Sequence, residues 1–454
     1  MFRRKSSTFF PQSIKLTWKN KERQNQSEQR GLKKVLDKIQ ANPLPVVLFT
    51  IFVDLIGFGI IIPIIPQLLA NPASEFFLLP KGDTIKQGYI LLGYLVAIFS
   101  VAQFLAAPIL GQLSDRYGRK KIMAICLGGT AISYVIFALA IITRNIPLLF
   151  ASRAFAGLTG GSVSVAQAAI ADFTKPEDRS KNFGLMGAAF GLGFIFGPYL
   201  GGKLSDPSFI SWFNPATPFF FAAILSALNV ASLLLIFPET NKHIKHGLSI
   251  AWSKSVVNIW HALKHPQLRE LFSVVFLFNA GFTFFTTFFA VFLINKFRFT
   301  QGDIGNFFAY IGIWFAFSQV VIVRKLSGKF SEVQIVRLAL FTSAISVFLY
   351  FFPSNSLGLY LITPILAVAN GLIFANLTAL ISKNADASIQ GEVLGINSSV
   401  SALAMMIPPI LSGYIAAGLK PETPIYVSAA VILMSALFFW FFFHPGRSKL
   451  HEIK

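Results

Sequence analysis

Residues 111–120 read GQLSDRYGRK, a short charged segment between two long apolar stretches, 88–110 and 122–143. About 20 apolar residues, at a rise of 1.5 Å each, are enough to cross the ~30 Å hydrocarbon layer of a membrane. Both stretches reach that length. The two glycines of the segment allow a tight turn and a close approach of helices. The pattern therefore predicts two membrane-spanning helices joined by a short loop.

The same apolar pattern recurs along the whole chain of 454 residues. Hydrophobic residues make up 54% and charged residues 13% of the sequence, against roughly 45–50% and about 25% in a soluble domain. We therefore predict an all-α membrane protein with twelve transmembrane helices. The predicted limits of these twelve spans are 46–69, 88–110, 122–143, 147–171, 181–203, 217–237, 270–294, 303–323, 336–353, 356–381, 389–417 and 424–443.

The two halves of the chain resemble each other. The segment Leu113–Gly118 has a counterpart in Leu326–Ser331, 213 positions later. Three residues of span five recur in span eleven 211 positions later: Gly184, Pro198 and Gly202 correspond to Gly395, Pro409 and Gly413. Two matches at nearly one spacing indicate an internal repeat, and hence two pseudo-symmetric six-helix bundles.

This repeat divides the chain into five parts. The predicted parts are a basic N-terminal tail (1–45), a first six-helix bundle (46–237), a linker (238–269), a second six-helix bundle (270–443) and a C-terminal tail (444–454).

Basic residues predict the orientation. With the N-terminus inside, 31 of the 39 Lys and Arg lie at the chain ends and on loops of the same side, and seven lie on the other side. The positive-inside rule then puts both termini in the cytoplasm. The net charge of +20 follows from this topology and from attraction to anionic lipid, so it calls for no nucleic-acid partner. A bacterial inner membrane is the expected location.

The two soluble segments leave alternatives open. The tail 1–45 could lie on the inner leaflet, be disordered, or act as an organelle transit peptide, although its three acidic residues argue against the last. His243 with His246, and His261 with His265, could each share a helix face as metal ligands. No acidic or Cys ligand lies suitably close to complete such a site, so we predict a solvated linker and no metal site.

The charged loop and its partners point to a family. GQLSDRYGRK resembles the loop signature of the major facilitator transporters, with every key position filled. The resemblance implies that Asp115 interacts with the start of span eleven near Gly391, and that Arg119 interacts with Asp172 at the end of span four. The residues implied in conformational gating are Gly111, Asp115, Arg116, Gly118, Arg119 and Asp172.

Spans one and five narrow this resemblance. Asp54–Pro66 reads DLIGFGIIIPIIP and Gly193–Gly202 reads GFIFGPYLGG. Both are similar to segments of the twelve-span tetracycline and multidrug proton antiporters, which implies export in exchange for protons. Those tetracycline proteins have a second carboxylate in span three, where this chain has Ser133. The residues predicted to pack helices closely in span five are Gly193, Gly197, Pro198, Gly201 and Gly202.

Charges inside the spans are candidates for the mechanism. Asp54 is the one acidic residue, of nineteen, that lies deep in a predicted span. A carboxylate at such depth costs ~2.5–3.5 kcal/mol and faces a cavity or a partner. It is therefore a candidate proton carrier, the alternative being a structural hydrogen bond. Arg153 is the corresponding basic residue, ~9 Å below the outer surface. The family resemblance implies a role in proton coupling, and snorkelling toward the interface is the alternative.

Uncharged polar residues of the spans are candidates for the substrate cavity. Each could instead form an interhelical hydrogen bond. The polar candidates are Gln167, Asn279, Gln319, Asn370 and Asn376. Phe282 is added because its ring, near Asn279, would suit an aromatic ligand, the alternative being that it faces lipid.

The functional prediction is a proton-coupled exporter of a small hydrophobic or amphipathic molecule, working by alternating access of two bundles. It is expected to be a monomer driven by the proton gradient without a cofactor. A proton symporter importing a nutrient or siderophore is the first alternative, and a non-transporting receptor or scaffold the second. All six His lie outside the predicted spans and no phosphate-binding loop is present, so we predict no enzyme.

Overall fold

The computed structural model describes residues 43–80, 85–174, 179–241, 253–264, 268–327, 329–384 and 390–443. In this part of the chain twelve helices are long and apolar enough to cross a membrane, which confirms the predicted all-α membrane fold. The spans, numbered in chain order, are Leu44–Leu69, Ile85–Tyr117, Arg119–Ile142, Ile146–Thr159 with Ser162–Phe173, Arg179–Leu204, Thr217–Ile236, Arg269–Phe297, Gln301–Phe317 with Ser318–Ile322 and Val323–Ser327, Glu332–Leu349, Ser356–Lys383, Gln390–Gly418 and Thr423–Phe442.

Two spans depart from regular helices. Span four is broken at Gly160 and Gly161 into two helices, here called helix 4a (Ile146–Thr159) and helix 4b (Ser162–Phe173). Two adjacent glycines each cost about 1 kcal/mol relative to alanine inside a helix, so the break falls where helix propensity is lowest. Span eight contains a π-helical turn at Ser318–Ile322.

Capping moves one predicted boundary. Span nine was expected at 336–353, but its helix is Glu332–Leu349. Ser331 and Gln334 form a capping box that starts the helix four residues before the apolar stretch. Hydropathy locates the apolar stretch, whereas side-chain caps decide where the helix begins.

The linker contains one short helix. Lys254–Lys264 is helical, and the Nδ2 amide of Asn258 donates to the hydroxyl of Ser399 in span eleven at 3.0 Å. Among the linker histidines, His261 is exposed, while 243, 246 and 265 lie outside the described residues. The tails 1–42 and 444–454 also lie outside them.

Each half has its own apolar core. Spans seven to twelve share one large cluster that includes Phe289, Leu340 and Phe439. The first half is built around two clusters, one centred on Ile64 and Phe219 and the other on Ile51, Met123 and Ile170. Phe288, Val291 and Ala416 of the second half join the Ile64 cluster, so the halves pack directly against each other.

The halves meet at one end of the bundle and separate toward the other. We call the end where span one begins and span twelve finishes the terminal end, and the other the distal end. Gly93 of span two packs against the backbone of Pro409, and a Cβ on Gly413 of span eleven would lie 2.7 Å from the carbonyl oxygen of Tyr89. These contacts hold spans two and eleven together near the distal end.

Two further glycines show how spans two and eleven are spaced near the terminal end. Gly111 and Gly395 lie 18 residues from Gly93 and Gly413 respectively, which is five full turns or ~27 Å along the same helix face. No atom of the described residues lies within 4 Å of the Cβ position of Gly111 or of Gly395. At these two positions spans two and eleven thus lack the close contact that they make near the distal end, which indicates that the space between the halves opens toward the terminal end.

Candidate functional site

Asp54 lies half-buried in the middle of span one. It is ten residues after Leu44, or ~15 Å from the terminal end of its helix. Ser162, the first residue of helix 4b, donates its hydroxyl to the Oδ2 of Asp54. The Oδ1 atom is buried and has no hydrogen-bond partner among the described residues. In the part of the chain that the structure describes, the carboxyl group thus has one partner, and its second oxygen is unsatisfied.

Arg153 is buried in helix 4a and forms no ion pair with Asp54 among the described contacts. Its guanidinium lies 4.3 Å from the ring centroid of Phe99. Its Nε is buried, and no described residue forms a hydrogen bond with it. A guanidinium over an aromatic face gains ~2 kcal/mol or more when desolvated. The snorkelling alternative is not what the geometry shows, since Arg153 is 5% exposed.

Aromatic rings extend from Arg153 toward span five. The ring of Phe58 lies 6.1 Å from that of Phe99 and 6.2 Å from that of Phe194. Phe58 is one helical turn beyond Asp54 on the same face of span one. The carboxyl group and the guanidinium are therefore accompanied by a half-buried aromatic surface suited to apolar ligands.

Tyr134 of span three reaches the same region. Its hydroxyl lies where a Cβ of Gly57 would be, so only glycine leaves room for it one turn after Asp54. Tyr134 is within electrostatic range of both Asp54 and Arg153. Sequence reasoning did not identify Tyr134, because a tyrosine in a span has no distinguishing signal and the fit depends on a glycine of another helix.

The second half presents a polar and aromatic counterpart. Asn279 lies ten residues into span seven, as Asp54 does in span one, and donates to the hydroxyl of Ser401 at 3.1 Å. The ring of Phe282 lies 5.9 Å from that of Phe374, which is 6.1 Å from Phe315. Asn279 and Phe282 are both half-buried.

The remaining cavity candidates occupy two kinds of environment. Gln167 of helix 4b is half-buried, and the Nε2 of Gln319 donates to the carbonyl of Gly371 at 3.1 Å. Asn370 is 5% exposed and accepts a hydrogen bond from Ser343 at 2.8 Å. Asn376 is also buried and donates to a carbonyl of its own helix. The interhelical alternative describes Asn370 better than a place in a cavity.

The charged loop forms a compact network at the terminal end. Gly118 has a φ of 97° and connects spans two and three, a conformation that favours glycine. The guanidinium of the buried Arg119 contacts Asp115 Oδ1 at 2.6 Å and Asp172 Oδ2 at 2.9 Å. The contact with Asp172 is the one that the resemblance implies. Arg116 lies over the Tyr117 ring at 5.2 Å.

Two further positions that the resemblance implies are Gly111 and Gly391. Gly111 has open space beside it. The side-chain surroundings of Gly391, implied as the partner of Asp115, lie outside the described residues.

Span five packs closely against span one. A Cβ on Gly197 would lie 2.7 Å from the Cα of Gly59, and one on Gly201 would lie 2.5 Å from the carbonyl oxygen of Ile60. Gly193 approaches Leu55 in the same way. These three glycines, at a spacing of four, let the two backbones approach.

The same span also contacts the second half. A Cβ on Gly202 would lie 2.5 Å from the carbonyl oxygen of Gln301, and Gly305 of span eight packs against the carbonyl of Pro198. Span five therefore links the core of the first half to span eight at the distal end.

The family model of the Major Facilitator Superfamily matches residues 47–409, which is most of the chain. The chain belongs to this superfamily. Multidrug resistance protein 2 of Bacillus subtilis (strain 168) is 32% identical over 373 residues, covering 81% of this chain and 87% of that protein. The class C tetracycline resistance protein of Escherichia coli is 30% identical over 370 residues, covering 82% and 88%.

A solved structure agrees with this assignment. The human organic anion transporter MFSD10 (TETRAN) superimposes with a TM-score of 0.68 at 25% identity, covering 87% of this chain and 98% of that one. The chain is thus an integral membrane protein with twelve spans and the fold of a transporter, and its curated relatives include tetracycline and multidrug efflux proteins. The resemblance inferred from the loop and from spans one and five is confirmed.

The major facilitator loop has a partner that the sequence did not reveal. Glu239, just after span six, accepts hydrogen bonds from the backbone amides of Arg119 at 2.9 Å and Lys120 at 3.1 Å. These are the first amides of span three, where a carboxylate also meets the positive end of the helix dipole. Thr240 donates to Asp172 at 3.4 Å. Glu239 is 120 positions from Arg119, so no local pattern could indicate the contact.

The second half carries the same pair with its charges exchanged. Glu332 stands 213 positions after Arg119, and Lys383 stands 211 positions after Asp172, the spacings of the internal repeat. Lys383 Nζ contacts Glu332 Oε1 in an ion pair. The repeat therefore keeps an ion pair between the start of its third span and the end of its fourth, but with the opposite polarity.

Proposed function

We propose that this major facilitator protein exports a small hydrophobic or amphipathic molecule in exchange for protons. The observation that carries the proposal is Asp54, a carboxyl group at mid-depth that has, among the described residues, one hydroxyl partner, an unsatisfied oxygen and no ion pair. A carboxyl group that is not neutralised by a fixed cation can gain and lose a proton as its surroundings change. The efflux proteins among the relatives support export as the direction.

The geometry of the two halves supports alternating access. The halves touch at the distal end and are apart at the terminal end, where the loop network lies. With both termini in the cytoplasm, as the positive-inside rule favours, this is the arrangement open to the cytoplasm. Asp54 would release its proton there as substrate binds, and would take up a proton after the halves open at the distal end.

The aromatic surfaces support an apolar substrate. Phe58, Phe99 and Phe194 of the first half, and Phe282 and Phe374 of the second, offer ring faces beside few polar groups. We further propose that the protein works as a monomer in a bacterial inner membrane, driven by the proton gradient without a cofactor.

The test is transport by the purified protein in proteoliposomes with an imposed pH gradient. Tetracycline, a quinolone and an organic anion serve as substrates, since these are the compounds in the names of its relatives. Proton-coupled export predicts substrate movement opposite to the proton flux, abolished by a protonophore. Movement with the protons would indicate a symporter, and movement that ignores the gradient would refute proton coupling.

A further inference from the structure

The break in span four lies at the depth of Asp54. Ser162 begins helix 4b eleven residues before Phe173, which places it ~16 Å from the terminal end of that helix. Asp54 lies ~15 Å from the terminal end of span one. The hydrogen bond between the two side chains agrees with this equal depth. A helix thus starts in the middle of the membrane with its first residue against a carboxyl group.

The start of a helix is suited to hold a negative charge. Val165 makes the first hydrogen bond of helix 4b, to the carbonyl of Gly161 at 3.1 Å, so the amides before it have no acceptor within the helix. The aligned peptide dipoles add a partial positive charge at this end. In an apolar environment such a terminus is the arrangement by which discontinuous transport helices bind anionic groups.

We infer that the break in span four is a carboxylate-binding element, in which Ser162 and the start of helix 4b stabilise the ionised form of Asp54. Ser162 is then a positioning residue for proton coupling, and it acts through Asp54. The inference rests on the proposed function, because it assigns this role within a proton-driven cycle.

Gln103 of span two fixes the break. Its Nε2 donates to the carbonyl of Gly160 at 2.8 Å, and the hydroxyl of Thr159 bonds back to carbonyls of helix 4a. The carbonyl of Gly160 would otherwise be unpaired at mid-depth, which costs ~1–3 kcal/mol in general for a buried polar group. Gln103 therefore satisfies the interruption and lets helix 4b begin at Ser162.

Other groups around Asp54 do not replace this partner. Tyr134 and Cys126 of span three are the described titratable groups within electrostatic range of Asp54. Arg153 is stacked on Phe99 and makes no described ion pair with the carboxylate. In the described part of the chain no Lys or Arg forms an ion pair with Asp54. Among the described residues, Ser162 at the start of helix 4b is the hydrogen-bond donor to Asp54.

The test is an infrared pH titration of the full-length protein in lipid, following the carbonyl stretch of protonated carboxylic acids. Asp54→Asn identifies the Asp54 band by removing it. A hydrogen bond to a charged group corresponds to about one pH unit or more. Removing the hydroxyl in Ser162→Ala disfavours the ionised form, so we expect the midpoint of the band to move about one unit toward higher pH.

Two controls separate this role from general packing. Ser162→Thr retains the hydroxyl and is expected to keep the wild-type midpoint. Ser164→Ala removes a hydroxyl from the same first turn that has no described bond to Asp54, and is also expected to keep it. Gln103→Leu leaves the carbonyl of Gly160 unpaired and should move the midpoint in the same direction as Ser162→Ala. It takes the place of Ser162→Ala in the test if that variant does not fold.

The outcome of the infrared titration can be told apart from the outcome of the transport assay. Identical midpoints in wild type and in Ser162→Ala, or a titration without any Asp54 band, would overturn the inference. The spectrum needs no substrate. If the shift is present but wild-type proteoliposomes move no substrate against protons, the proposed function fails while the carboxylate-binding element stands.

Discussion

A single methyl group on Gly413 should open the distal end of the protein. In Gly413→Ala the new Cβ would lie 2.7 Å from the carbonyl oxygen of Tyr89 and 3.0 Å from the Cα of Ile90, whereas ordinary contacts are about 3.5–4.0 Å. Both neighbours are backbone atoms and cannot rotate away. Spans two and eleven must therefore separate by several tenths of an ångström, and overpacking of this kind costs ~1–3 kcal/mol.

This cost applies only to the arrangement in which the two spans touch. The ratio of the distal-closed to the distal-open arrangement should fall by roughly 5- to 150-fold. This ratio can be measured by electron resonance, as the distance between spin labels at positions 75 and 354. Glu75 and Ser354 are exposed on distal loops of the two halves. Cys126 is replaced first, so that only the two introduced cysteines are labelled. We expect the longer distance to dominate in Gly413→Ala.

The matched control is Gly395→Ala, on the same face of span eleven five turns away. Nothing lies within 4 Å of the Gly395 Cβ position, so the methyl group should not lower the population of the distal-closed arrangement. If Gly413→Ala gives the wild-type distance distribution, or if Gly395→Ala opens the distal end equally, the packing argument is wrong.

Three further predictions concern the loops and the tail. Asp115→Asn should slow transport but spare expression, because the half-exposed carboxylate contacts Arg119 at a stability gain of only ~0–1 kcal/mol; unchanged turnover at wild-type expression would contradict it. Glu332→Lys and Lys383→Glu should each lower transport, and the double variant, which exchanges the two charges, should restore it. A double variant that transports no better than the single variants would exclude a pairing role. Deleting 1–40 should leave transport and thermal stability largely intact, because this polar segment has little apolar surface to bury, and loss of membrane insertion would refute that.

The sequence predicts the fold well because spans are decided by local hydropathy. Every one of the twelve predicted spans has its helix, and the errors lie at helix boundaries and at two interruptions inside spans. The break in span four was missed although Gly160 and Gly161 are adjacent, because an apolar window of this length still predicts one continuous helix. The π-helical turn at Ser318–Ile322 likewise has no local pattern that announces it.

The candidate site was only partly accessible from sequence. Asp54 stands out because a deep carboxylate is costly anywhere in a span. Ser162 does not, since serine is common in membrane helices and its partner is 108 positions away. The position of Tyr134 depends on the space that Gly57 leaves, and the contact of Glu239 depends on the start of span three. Both features arise only when the helices assemble, so the sequence does not reveal them.

The central claim is that Asp54 carries the proton that drives transport. Asn retains the shape of the acid and one hydrogen-bonding oxygen but cannot ionise. The most direct measurement is substrate-dependent proton movement in proteoliposomes of wild type and Asp54→Asn, beside equilibrium binding of the same substrate. We predict that Asp54→Asn binds substrate but moves neither protons nor substrate against a gradient. Undiminished gradient-driven transport by Asp54→Asn would contradict it.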